Sequence, residues 1–265
     1  MLTATVLTLQ ATPDAQIAPN LGRATHAWFL DQVRRHDPSL ADLLHEPNQE
    51  HPFTVSNLWR GRADADGTYF LRFTSYIPEL STLLTEQILP NLPTRLLLGH
   101  APMQVQAIAT TPDAHPAAGT TTFAAVMQQQ TLAARLAPFV TLRFVSPTAF
   151  RSNDLFVPLP LPRLVFEGLL RRWNATAPAT LPAELSRFAE ECVAISRHEL
   201  HSERISFGDA QQHGAFPGFV GTASYAFRVT DRYWMGLIHL LAAFAFYTGV
   251  GLRTTMGLGQ TRKLA

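Results

Sequence analysis

One order of periodicities, strand, helix, strand, strand, helix, strand, is legible twice along these 265 residues. It narrows the fold to a duplicated split β-α-β unit of the α+β class before any residue has a role. Met1 to Gln10 alternates apolar and polar side chains and reads as a half-buried strand. The apolar stripe Leu21, Ala24, Trp28, Phe29, Val33 predicts a helix to His36, stopped by Asp37-Pro38, a pair that also serves as N-cap and first residue of a short helix ending near His45. Two β-rich segments around Phe53 and Tyr69 follow, with Asp66-Gly67 as a hairpin signal between them, then a helix from Pro78 to about Leu89 and a strand near Met103 to Thr110. The second half repeats the order: a strand in FVTLRFVSPTAF, a helix from Arg163 to Trp173, strands near Val193–Phe207 and Gly218–Val229, an apolar helix Asp231–Tyr247, and a last strand Gly257–Lys263. This divides the chain into domains 1–110 and 138–265, with 111–137 a linker carrying a connecting helix from Thr122 to Leu136.

Composition excludes several classes. A single cysteine, Cys192, allows no internal disulfide and no cysteine-based zinc site, and it points to a reducing, cytoplasmic compartment. The N-terminus lacks the basic region of a signal peptide. Tyr233 to Leu252 has no formal charge and the length of a membrane span, but His239, Thr248 and three glycines interrupt it, so a helix buried inside the protein is the better account. Of the 21 basic residues only Lys263 is a lysine, and arginine suits phosphate contacts and base stacking. Residues 1–132 hold 7 Arg against 11 acidic residues, a balance of −4, whereas 133–265 hold 14 basic against 9 acidic, a balance of +5. A basic C-terminal half points to a polyanionic partner.

The most informative string is GVGLRTTMGLGQTR, where Gly249/Gly251 and Gly257/Gly259 bracket five residues just after the apolar helix. Glycines let backbone amides approach a phosphate, and Arg253, Thr254 and Thr255 add a charged fork and two hydroxyls. A helix C-cap explains one glycine and leaves the other three unexplained. The order helix, glycines, strand is the reverse of a dinucleotide fingerprint, and no Gly-Lys-Ser/Thr is present.

With SPTAFRSN, PLPLPRLVFEGLLRRWN and the two-fold layout, this glycine pattern resembles the CRISPR-associated endoribonucleases that process precursor CRISPR RNA, the sixth family in that nomenclature. The resemblance covers essentially the whole chain. It implies two ferredoxin-like domains facing each other across a cleft, a glycine-rich loop binding the repeat RNA, and metal-independent cleavage leaving a 5′-hydroxyl and a 2′,3′-cyclic phosphate. It implies no cofactor, precursor CRISPR RNA as the partner, and no membrane. It leaves open an effector complex and a homodimer.

Such cleavage needs a proton taken from a 2′-hydroxyl and one given to a 5′-oxygen, which histidine does near neutral pH. Of ten histidines, His26, His36, His45 and His51 lie where the family places its site. Family members with a similar segment have a histidine matching His45, a lysine matching His51 and a tyrosine falling at Leu30; this chain departs at the last two. Two assemblies follow: His45 as base with His51 as acid or clamp, or His26, one turn before Leu30, paired with His51. His51 is common to both and leads the candidates, ahead of His45 and His26. Arg151, in the turn after SPTAF, and Arg204 are expected RNA contacts, and Arg171 and Arg172 are read as a solvated helix face. The run around His198, Glu199, His201 and Glu203 is not read as a metal cluster, because strand alternation parts Glu199 from His198. The departures at Leu30 and His51 keep a rival reading alive, an RNA-holding scaffold without catalysis.

Overall fold

The computed structural model describes residues 1–13, 15–46, 50–60, 67–206 and 215–264. The chain divides into two compact units, Met1–Thr121 with Thr255–Gly257, and Thr122–Thr254 with Leu258–Ala265.

The N-terminal unit runs β1 (Leu2–Ala11), α1 (Gly22–His36), α2 (Pro38–His45), β2 (Phe53–Val55), β3 (Thr68–Ser75), α3 (Pro78–Leu83) continued by a π turn at Leu84–Ile88, β4 (Arg95–Leu98), β5 (Ala101–Ala109) and β6 (Gly119–Thr121). Its antiparallel sheet has the order β2-β3-β1-β5-β4, with β6 also on β1. Leu7 and Leu9 point to the helices and pack with Phe29, Val33, Phe53 and Phe73. Val6, on the other face, packs with Phe70, Ala109 and Ala118. The strand expected to be half-buried is therefore buried on both faces, because the segment ending in β6 covers the second one. As expected, Asp37 caps α2, accepting from the Leu40 amide (2.9 Å), with Pro38 in the first position. Asp66 of the expected hairpin signal lies outside the described residues.

The C-terminal unit runs α4 (Phe123–Thr131), β7 (Phe139–Thr148), β8 (Phe150–Ser152), β9 (Leu155–Val157), α5 (Pro162–Thr176), α6 (Glu184–Cys192), β10 (Val193–Ser206), β11 (Ala215–Phe227), α7 (Arg232–Thr248) and β12 (Thr261–Leu264). Its sheet order is β10-β11-β7-β12, and β8 and β9 form a separate hairpin. Numbered by their place in each repeat, both sheets read 4-1-3-2 and both are antiparallel, the tandem ferredoxin-like arrangement. α7 is the expected apolar helix, capped by Asp231 and buried against α4, α5, α6, β7 and β12. Its Phe244 interlocks with Trp173 of α5 and Phe123 of α4. Among the described residues no helix is long and apolar enough to cross a membrane.

Within 111–137, α4 stops at Thr131 and not at Leu136. After it the carbonyls of Ala133 and Ala134 accept from Arg232, and that of Ala137 bonds His239 (3.0 Å), so side chains satisfy acceptors of the non-helical segment that follows. The last strand begins at Thr261 and not at Gly257, because the residues before it make other pairings described below.

Candidate active site

The start of α1 is built to accept another segment against it. Its first amides are capped from outside the helix: Leu21 donates to Asn57 Oδ1 (2.8 Å) and Gly22 to Asn20 Oδ1 (2.9 Å). Thr25 Oγ1 donates to the Ser56 carbonyl (2.9 Å) and ties α1 to the end of β2. A Cβ on Gly22 would lie 2.1 Å from the carbonyl oxygen of Met256, so only glycine lets the Thr255–Gly257 segment lie here. That segment is fixed by Gly257, whose amide donates to the Val55 carbonyl (2.8 Å) and which bridges Ser56 in parallel.

This seating orients His26. Its Nδ1 lies 3.1 Å from the carbonyl oxygen of Thr255. A carbonyl only accepts, so Nδ1 carries the proton and, in the neutral ring, Nε2 keeps its lone pair. The imidazole stacks on Phe53 (centroids 5.8 Å apart, planes at 15°), and His51 meets the same phenyl edge-on at 6.1 Å. Tyr76 Oη donates to the His51 carbonyl and holds the loop before β2. Burial pushes the His26 pKa below its ordinary value; the Thr255 carbonyl opposes this, and the charges of His51 and His45 add to it. All three predicted histidines therefore belong to one electrostatic cluster. They differ in setting: His26 and His51 are partly buried, while His45, last residue of α2, is exposed. Leu30 is in the core and offers no proton.

The glycine string is more enclosed than a phosphate cradle requires. Gly249 donates to Ala245, Gly259 to the Pro147 carbonyl (3.0 Å) and Gly257 to Val55, so these amides are spent inside the fold. Thr254 and Thr255 are 6% and 7% exposed. Gly251 is partly buried, its carbonyl accepting from Arg172. Arg253 alone of the predicted loop residues is exposed, with a left-handed φ of 51°.

Arg172 corrects the expectation of a solvated helix face. It is 6% exposed and donates to the carbonyls of Gly249 (2.9 Å) and Gly251 (2.8 Å), pinning the turn that leaves α7. A periodicity argument misses this because the partners lie almost 80 residues on. Arg171 is exposed. Arg151 sits in β8 and not in the turn, which is formed by Asn153 and Asp154, both at positive φ. Arg204 is exposed on β10, next to Ile205, the register partner of Phe216, and so projects from the opposite ribbon face. Sequence reasoning also missed Phe53, Asn57 and Gly22, whose only signal is their place at the ends of β2 and α1.

Two family models match the chain, one described as CRISPR Cas6 N-terminal domain over residues 3–128 and one as CRISPR-associated endoribonuclease Cas6 over 142–261. A CRISPR-associated endoribonuclease Cas6 of Mycobacterium tuberculosis is 30% identical over 123 residues, 46% of this chain and 37% of that protein. This chain thus aligns with little more than a third of the curated relative's length. Among solved structures, a Cas6 product complex superposes with a TM-score of 0.82 at 28% identity, covering 100% of both chains. Thermus thermophilus Cas6 superposes with a TM-score of 0.73 at 27% identity, covering 100% of this chain and 98% of that one.

Proposed function

Because the chain belongs to the Cas6 family of CRISPR-associated endoribonucleases, we propose that it cuts CRISPR repeat RNA with the histidine cluster of its N-terminal unit. The observation that carries this reading is His26 held as its Nδ1–H tautomer by the Thr255 carbonyl, with His51 on the same phenyl ring. His26 Nε2 takes the proton from the 2′-hydroxyl next to the scissile phosphate, and O2′ attacks phosphorus. The P–O5′ bond breaks and His51 gives O5′ its proton, leaving a 2′,3′-cyclic phosphate and a 5′-hydroxyl. His45, exposed at the end of α2 and felt electrostatically by His26, is available to contact the phosphorane oxygens. The scheme routes no step through a metal or cofactor.

Likeness to a Cas6 product complex and to a Cas6 substrate mimic complex supports the substrate class. The test is single-turnover cleavage of repeat RNA in EDTA. Expected are a 5′-hydroxyl product that a kinase labels directly, no cut when the 2′-hydroxyl at the site is removed, and a rate roughly 10²–10⁴ lower in His26→Ala. A 2′-deoxy substrate cut as fast as the ribose form would refute the mechanism. The core position of Leu30 favours one rival, an RNA-holding subunit without catalysis. Intact RNA retained on a gel under the same conditions would select it.

A further inference from the structure

The β8–β9 hairpin of the C-terminal unit carries an aromatic arrangement that the scheme above leaves unused. Arg151 and Phe156 are directly opposed across the two strands, so both side chains project from one side of the hairpin. The Phe156 ring lies flat on Phe216, with centroids 4.2 Å apart and planes at 10°. The Arg253 guanidinium lies 5.5 Å from the centroid of the same Phe216 ring. With one face covered, Phe156 is still 41% exposed, so what remains in solvent is its outer face and edges. Its contact with the backing ring restricts its rotamers, so less side-chain entropy is lost when something stacks on it. Beside it, Arg151 bonds only the exposed Asp154 at 2.8 Å among the described pairings, an ion pair in water that a phosphate oxygen displaces at small cost. A flat apolar ring with one cation across the hairpin from it and another over its backing ring complements a ligand offering a π-face and an anion one step apart along its chain. A nucleotide in a single strand offers both.

We propose that Phe156, backed by Phe216, is a stacking platform for one unpaired base of the RNA, with the adjoining phosphate on Arg151. The proposal rests on the RNA-cleaving function above and adds to it a binding subsite in the other unit.

The test is the dissociation constant of repeat RNA, intact and with single abasic positions through its unpaired segments. Phe156→Ala weakens binding of intact RNA by roughly 5- to 150-fold, the worth of one base–aromatic stack, while Phe156→Trp restores it. Leu155→Ala, which removes a neighbour 69% exposed, changes it less than about twofold, the behaviour of an uninvolved surface residue. One abasic position weakens wild-type binding by a similar factor and costs Phe156→Ala nothing further. Phe156 is exposed, so the variant folds, which an unchanged melting temperature verifies. If the wild type binds and cuts repeat RNA while Phe156→Ala binds it equally well, the platform is wrong and the function stands. Full affinity in Phe156→Leu likewise overturns it, because leucine keeps apolar contact and removes the π-face. A wild type that neither binds nor cuts repeat RNA takes down both.

Discussion

A partly buried imidazole serves as a base when one nitrogen is committed to a partner and the other is left with its lone pair. In His26 the commitment comes from a carbonyl 229 residues away in the chain. The same burial that keeps the ring neutral displaces its titration to lower pH, and this gives the site a pH signature. With His26 as the proposed base, cleavage under kcat/KM conditions needs it unprotonated, so the acid limb of the pH–rate profile should have its midpoint below the ordinary value of 6.5. A midpoint at or above 6.5 removes His26 from the role of base. Stability moves in the same direction. Below pH 6.5 the unfolded chain binds this proton and the fold resists it, so the contribution of His26 is complete above that pH and is lost as pH falls through the depressed folded value. His26→Gln should flatten that part of a denaturant-midpoint titration. Three histidines near a helix end were visible in the sequence, and so was the absence of a tyrosine at Leu30. Their ranking was not, since it depends on Thr255 and on the phenyl ring of Phe53, neither of which local spacing associates with His26.

Glycines in this chain act through what their missing side chain permits, and two of them separate the effect on chemistry from the effect on stability. Gly257 has φ 92°, and a Cβ there would lie 2.9 Å from the Asn57 amide nitrogen, so Gly257→Ala must lift the segment that carries the Thr255 carbonyl. An ångström of misplacement costs on the order of 10²-fold in rate, and left-handed strain costs about 1–3 kcal/mol in stability. Gly168 in α5 has nothing within 4 Å of its absent Cβ, so Gly168→Ala should raise stability by about 0.5–1 kcal/mol with cleavage unchanged. Single-turnover rates and urea unfolding of the two variants decide the matter; equal rates would mean the segment at Gly257 does not hold the site. The same string explains what was and was not legible at this scale. Four clustered glycines stood out, but spacing does not distinguish amides aimed at a ligand from amides spent on Ala245, Val55 and Pro147. Four short strands and one helix also went unread. β4 alternates exposed and buried, but its Leu96-Leu97-Leu98 run hides the period; β6, β8 and β9 are three residues long each; and α6, with Leu185, Phe188 and Ala189 inward, sits against the start of β10 with no breaker between them. The duplicated long elements survived because their periodicities extend over eight residues or more.

At the scale of the whole chain, the histidine cluster and the positive charge fall in different stretches of the sequence: the histidines belong to the N-terminal unit, and the excess positive charge belongs to the second half of the sequence. Binding and cutting should therefore respond to different substitutions. Phosphate contacts act through counterion release, so log K falls with log salt by about 0.7 per contact for a single strand. Arg151→Ala and Arg253→Ala should each weaken repeat-RNA binding and reduce that slope by about 0.7, leaving the rate at saturating RNA unchanged. His26→Ala should do the reverse, lowering the saturated rate and leaving both affinity and slope intact. Arg34→Ala is the control, since Arg34 pairs with Asp42 at 2.8 Å on the exposed side of α1 and α2, and its loss should alter neither. Isotherms at three or four salt concentrations, with single-turnover rates on the same preparations, measure all four variants. If Arg253→Ala left the slope untouched and lowered the saturated rate, its left-handed turn would be serving the catalytic segment that follows it and not the phosphate chain. The basic half would then hold RNA through other arginines, of which Arg151 is the first to examine.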